Sequence, residues 1–124
     1  MNIFISNTSQ DPIYQQIIAQ IKSLIFRGDL NEGDLLPSIR SLAKELQISV
    51  ITTKRAYEEL EKDGFIETVT GKGSYVAPQN KELLNKKRMK IVEEKLIEAI
   101  HEAKALNLNS EQLSEMLKRL YEEE

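Results

Sequence analysis

Cysteine is absent from this chain, and tryptophan with it. The first absence excludes a disulfide framework, a thiolate metal site and a cysteine nucleophile together. Histidine is nearly absent: His101 stands alone among Glu98, Glu102 and Lys104. A lone imidazole cannot build a two-histidine metal centre and does not suit serine–histidine chemistry. No metal and no cofactor is therefore expected, and His101 reads as an ordinary surface residue. Long apolar runs are missing too. No stretch approaches the roughly 18 residues of a membrane span, and Met1-Asn2-Ile3-Phe4 offers no basic region ahead of an apolar one. The expectation is a cytoplasmic protein with no membrane association. A basic surplus is also lacking, since 17 Lys+Arg face 20 Asp+Glu for a net charge of −3. Taken alone, that balance speaks against nucleic-acid binding.

What is present is a globular balance, 40% hydrophobic and 30% charged over 124 residues, enough for one ordinary domain or a small one with an appendage. Charge does not divide the chain, because residues 1–78 sum to −2 and residues 79–124 to −1. Glycine and proline do divide it. All 5 glycines and all 3 prolines lie at or before Pro78. A turn-rich unit over residues 1–78 and a helical tail over 79–124 are expected.

Within the first unit, Asp11 is expected to cap a helix that starts at Pro12 and closes at Gly28, with Tyr14, Ile17, Ile18, Ile21, Leu24 and Ile25 on its buried face. A turn-rich stretch leads to Leu36-Pro37. Ser38 then caps a short helix over Ile39–Leu46, and Gln47-Ile48 turn the chain. Ser49 caps a third helix to about Lys62, with Ala56, Tyr57 and Leu60 inward, and Asp63-Gly64 end it. Phe65, Ile66 and Val69 face Ser74-Tyr75-Val76 across Thr70-Gly71-Lys72-Gly73, a two-stranded hairpin. Three helices, a tight turn between the second and third, and a hairpin follow the order of a winged helix-turn-helix. That geometry lays the third helix in a major groove while the second braces it. The fold class expected is mostly α with a small β-hairpin, an α+β winged helix-turn-helix followed by a short two-helix dimerisation tail. A small α+β domain whose hairpin merely covers the helices is the plainer alternative.

The third helix admits two readings, a DNA-facing start or a plain one in which Ser49 only caps and Lys54 and Arg55 pair with Glu58 and Glu59 on a solvated face. Ser49, Thr52, Thr53, Lys54 and Arg55 crowd its first turns, where hydroxyls, backbone N–H groups and the positive helix end favour phosphate. Glu58, Glu59, Glu61 and Asp63 lie on its later turns. These acids have no partner in a pocket, and Gly71-Lys72-Gly73 lacks the spacing and following helix of a phosphate-binding loop. An enzyme is not expected.

Pro12 to Ile17, Gly33 to Ala43, Ser49 to Leu60, Asp63 to Ile66 and Gly71 to Val76 together resemble the GntR family of bacterial transcription regulators. The short two-helix tail resembles its YtrA subfamily. The resemblance implies a dimeric, sequence-specific DNA-binding repressor, its operon one that encodes an ABC transporter. It also implies that Arg40 reaches DNA from the second helix and that Ser49 and Thr52 meet phosphates and bases. Lys54 would lie at the major groove, and Lys72 with Gly73 at a wing tip in the minor groove. Val50 and Ile51 depart from the family, standing where many members carry polar or basic readers. Contact with a thymine methyl is the replacement such side chains offer. The DNA-binding set is thus Arg40, Ser49, Thr52, Thr53, Lys54, Arg55, Lys72 and Gly73, and the partner is double-stranded DNA with a pseudo-palindromic operator. The competing class is a winged-helix protein-interaction module that does not read DNA.

In the tail, Met89, Val92, Leu96, Ala99, Ala103 and Leu106 step 3-4-3-4-3 along a helix from about Gln79 to Leu106. A turn at Asn107-Leu108 precedes a second helix with Asn109 and Gln112 as a capping box and Leu108 stapled to Leu113. Leu113, Met116, Leu117, Leu120 and Tyr121 are expected to face inward. Two such helices cannot form an adequate core alone. A homodimer is expected through Met89, Val92, Leu96, Ile100, Ala103, Leu113, Leu117 and Leu120. A small-molecule effector has no internal cavity to occupy, so its place would be the dimer interface or the space between tail and front domain.

Overall fold

The computed structural model describes all residues, 1–124. Its elements run α1 (Ile13–Phe26), α2 (Ile39–Leu46), α3 (Val50–Lys62), β1 (Ile66–Val69), β2 (Gly73–Val76), α4 (Lys81–Ala105) and α5 (Ser110–Glu123). The chain is mostly α with one hairpin, a winged helix-turn-helix followed by a helical region. It divides into two compact units, Met1–Leu84 and Asn85–Glu124, the boundary falling in the first turns of α4. No helix is long and apolar enough to cross a membrane.

In the first unit, Ile17, Ile21, Leu42, Leu60, Ile66 and Val76 are essentially sealed from solvent, so every element from α1 to β2 except the turns contributes to one core. The periodic face of α1 is buried at Ile17, Ile18, Ile21 and Ile25, while Tyr14 and Leu24 are half-buried. The start of α1 differs from expectation. Pro12 holds the cap position without any side-chain bond. The Asp11 side chain therefore does not cap this helix; its carbonyl accepts a hydrogen bond from Gln16 Nε2 at 3.0 Å instead. A carboxylate one residue ahead of the cap is too far back to reach the N–H groups of the first turn. Two glutamines of α1 instead organise the N-terminal segment. Gln16 accepts from the Ser6 N–H at 2.8 Å and donates to its carbonyl at 3.1 Å. Gln20 accepts from the Phe4 N–H at 2.9 Å and donates to its carbonyl at 2.7 Å. Ile3 is thereby held in the core.

α2 and α3 have the bounds their caps dictate. Ser38 accepts the Ser41 N–H and Ser49 the Thr52 N–H, each at 3.0 Å. Between the helices Gln47 turns the chain at φ +57, and the Ile48 N–H returns to the Ala43 carbonyl at 3.0 Å. Tyr57 then fastens α3 to the entry of α2. Its ring is buried, and its hydroxyl donates to the Pro37 carbonyl at 2.7 Å. Burial pushes the Tyr57 phenol well above its ordinary pKa, so the neutral donor is the form that the fold keeps.

The hairpin pairs Ile66 with Val76 and Val69 with Gly73, with Thr68 and Ser74 hydroxyls 3.0 Å apart across it. β2 has company on its other side, which the turn-rich composition of residues 28–34 did not announce. The Gly33 N–H donates to the Val76 carbonyl, the Val76 N–H to Asp34 and the Leu36 N–H to Ser74, all at 2.9 Å. The wing is thus stitched to the segment entering α2.

The second unit is a helical hairpin. α4 starts at Lys81, with the Asn80 carboxamide accepting the Leu83 N–H at 3.2 Å, rather than at Gln79. Asn107 makes the turn at φ +60, and the Asn109/Gln112 capping box opens α5. Within one chain Ala103 is its only buried residue. Leu113, Met116, Leu117 and Leu120 line a groove of about 390 Å³ with Leu96, Ala99 and Ile100. Tyr121 does not face inward as expected. It is 82% exposed and takes no part in that groove.

Candidate nucleic-acid interface

The start of α3 is built by its cap. Ser49 Oγ accepts the Thr52 N–H and donates to Thr52 Oγ1 at 2.8 Å, so the two hydroxyls form a linked pair at the helix end. Ser38 and Ser41 repeat the arrangement at α2, with their hydroxyls 2.9 Å apart. Each helix keeps its first N–H groups without partners inside the helix, and its dipole places partial positive charge there. Two such ends suit phosphate. Arg40, in the first turn of α2, is exposed and forms no ion pair or side-chain hydrogen bond. Its guanidinium is available for a bidentate contact to phosphate or to a guanine edge.

Lys54 is exposed and lies 3.8 Å from Glu58, four residues on. A pair so exposed is worth little, and the ammonium can exchange it for a phosphate. Arg55 is held differently. Its guanidinium stacks 3.8 Å over the Tyr14 ring, and Nη2 donates to the Tyr14 hydroxyl at 3.2 Å. The contact joins α1 to α3 and orients a charge that still faces solvent. Tyr14, assigned to the core from its spacing, is therefore a positioning residue for this face. Nothing local signals it, since the partners are 41 residues apart.

Thr53 does not belong with the expected DNA-binding residues. It is 0% exposed, and its hydroxyl donates to the Ser49 carbonyl at 3.1 Å. No atom of Thr53 reaches the surface, so it belongs to the core face of α3 with Ala56, Tyr57 and Leu60 and cannot touch DNA. Its position completes their 3-1-3 spacing, which was the available signal.

At the wing, Lys72 is exposed between Gly71 at φ +80 and Gly73 at φ +113. Its N–H returns to the Val69 carbonyl at 2.9 Å, and its carbonyl accepts from the Tyr75 hydroxyl at 3.2 Å. The tip is thus tied on both sides of the lysine. Gly73 is the first residue of β2 and has a second reason to be glycine, since a Cβ there would press to 3.3 Å from Leu35 Cδ1. No cluster of three His, Cys, Asp or Glu exists for a metal ion, and His101 is exposed on α4.

A short helix, a left-handed turn, a serine-capped helix and a stitched hairpin define a winged helix-turn-helix protein, a class to which many DNA-binding regulators belong. The profile described as "Bacterial regulatory proteins, gntR family" matches residues 13–76. The chain belongs to the GntR family. It is 38% identical over 118 residues to the HTH-type transcriptional repressor YtrA of Bacillus subtilis, covering 95% of this chain and 91% of that protein. A GntR family transcriptional regulator from Listeria monocytogenes superposes with a TM-score of 0.69 at 32% identity, covering 93% of this chain and 98% of that one. The AraR(DBD) in complex with operator ORX1 matches with a TM-score of 0.54 at 27% identity, over 60% of this chain and 93% of that one. These relatives are regulators rather than enzymes.

Proposed function

We propose that this chain is a cytoplasmic, homodimeric repressor that binds a pseudo-palindromic operator through Arg40, Ser49, Thr52, Lys54, Arg55 and the Lys72–Gly73 wing tip. The observation that carries the reading is the unpaired Arg40 together with two serine-capped helix starts, in a chain related to the YtrA repressor along nearly its whole length. The DNA-binding unit would be residues 1–78 and the dimerisation tail residues 79–124. Met89, Val92, Leu96, Ile100, Leu117 and Leu120 are apolar and exposed in one chain. With Ala103 and Leu113 they would close against the same residues of a second copy. Two recognition helices would then read half-sites about one helical turn apart. The resemblance to the YtrA subfamily extends the reading to an operon encoding an ABC transporter.

The test is a titration of labelled duplex from the protein's own upstream region against a scrambled duplex. Tighter binding to the first, weakening steeply with salt, is the expected outcome. Equal affinity for both would overturn the reading. Salt-insensitive association with another protein would favour an interaction module instead. Arg40→Ala should weaken binding at least tenfold, by about the 1–3 kcal/mol of a bidentate contact or more, and leave the melting temperature unchanged because Arg40 is exposed.

A further inference from the structure

The recognition helix carries an apolar tip that its own fold does not use. Ile51 is 81% exposed and Val50 beside it 46%. Packing does not require them there, and helix propensity argues against them, since β-branched side chains lose rotamer freedom on a helix. Both belong to the first turn of α3, the part of a DNA-reading helix that meets base edges. Ile51 precedes Arg55 by four residues, so the two share one face of the helix. Thr53, Ala56, Tyr57 and Leu60 hold the opposite, buried face. Ile51 thus sits on the same side as the charge that Tyr14 orients, flanked by the linked hydroxyls of Ser49 and Thr52.

Neither Val50 nor Ile51 has a donor or acceptor, so neither reads a base edge by hydrogen bonding. The major groove offers one apolar feature, the 5-methyl group of thymine. We propose that Ile51, with Val50 beside it, selects thymine in each half-site by packing on that methyl group. The inference rests on the DNA-binding reading and adds which base the helix start requires.

The experiment uses the full chain and an operator located by footprinting on its own upstream DNA. Each thymine of one half-site is replaced in turn by deoxyuridine, which removes a single methyl and keeps every hydrogen bond. Binding by the unaltered protein should weaken about fourfold at one or two positions, the value of one buried methyl-sized group. Ile51→Ala should bind the natural operator at least that much more weakly and no longer distinguish deoxyuridine from thymine. If deoxyuridine has no effect at any position, or if Ile51→Ala remains as sensitive as the parent, the inference fails while sequence-specific binding stands. If the upstream duplex binds no better than a scrambled one, the DNA-binding reading fails and takes this inference with it. The deoxyuridine series needs no variant, so it stands whatever the folding of Ile51→Ala.

Discussion

The two units of this chain place their apolar side chains in opposite ways. In Met1–Leu84, isoleucines and leucines from α1, α2, α3 and the hairpin converge until several are sealed entirely. In Asn85–Glu124, a comparable supply of Leu, Ile, Val and Met lies along two helices and stays open to water, with Ala103 alone buried. The hydrophobic term grows with area removed from water. The first unit therefore collects it within one chain, and the second leaves most of it uncollected there. Sequence length explains the contrast. Two helices enclose too little volume for a core, whereas three helices and a docked hairpin enclose enough.

The largest expected effect strikes the self-sufficient unit. Leu60 is fully buried where α3 meets the core, so Leu60→Ala should cost about 2–5 kcal/mol. Chemical denaturation should show the loss, and it should not depend on protein concentration. Sealing that did depend on concentration would erase the distinction between the units.

Next in size is a change in the open unit. Leu117 lines the groove between α4 and α5 and is exposed in one chain. Leu117→Asp should raise the dimer dissociation constant at least about 30-fold, as expected for a central apolar contact of 2 kcal/mol or more. Sedimentation would detect it, while the near-ultraviolet signal of the first unit stays intact. An unchanged association state would mean that the tail's apolar face serves something other than a second copy.

The smallest effect sharpens the comparison inside the first unit. Tyr57→Phe removes the 2.7 Å bond to the Pro37 carbonyl, at a cost of about 1–2 kcal/mol. The same phenol sets a pH limit. Its folded-state pKa is raised by burial, so its contribution is fully present below the unfolded value of about 10. That contribution is lost as pH rises above this value, because the unfolded chain releases the proton more readily. Melting temperatures measured from pH 8 to 11 should fall at the alkaline end, and less steeply in Tyr57→Phe.

Much of the fold was legible because its signals are local. Ser38, Ser49 and the Asn109/Gln112 pair are caps that act within four residues, and each does so here. Family spacing picks out Arg40, and the structure leaves it exposed. What escaped is set by packing between distant segments. Spacing shows Arg55 only as a charge on one helix, yet its partner Tyr14 comes from another. Thr53 looked like a surface hydroxyl, but a threonine that bonds back to the carbonyl four residues earlier hides its polarity and becomes a core residue. Asp11 looked like a cap because residue type was visible and the single-residue offset imposed by Pro12 was not. The bridge from residues 33–36 to β2 carries no periodicity at all, being too short to show one.

The two glutamine clamps on α1 also act as a length gauge. Four residues of helix rise about 6 Å, and two residues of extended chain advance about 6.6 Å. Gln16 and Gln20 are four apart, and their partners Ser6 and Phe4 are two apart in the reverse direction. The near-equal pitches let a helix side-chain row measure out an antiparallel segment, residue by alternate residue, without any sheet. A slip of one position would turn Ile3 and Ile5 away from the helices. The chain's beginning is therefore registered by the same rule that registers strands, with two carboxamides standing in for a backbone.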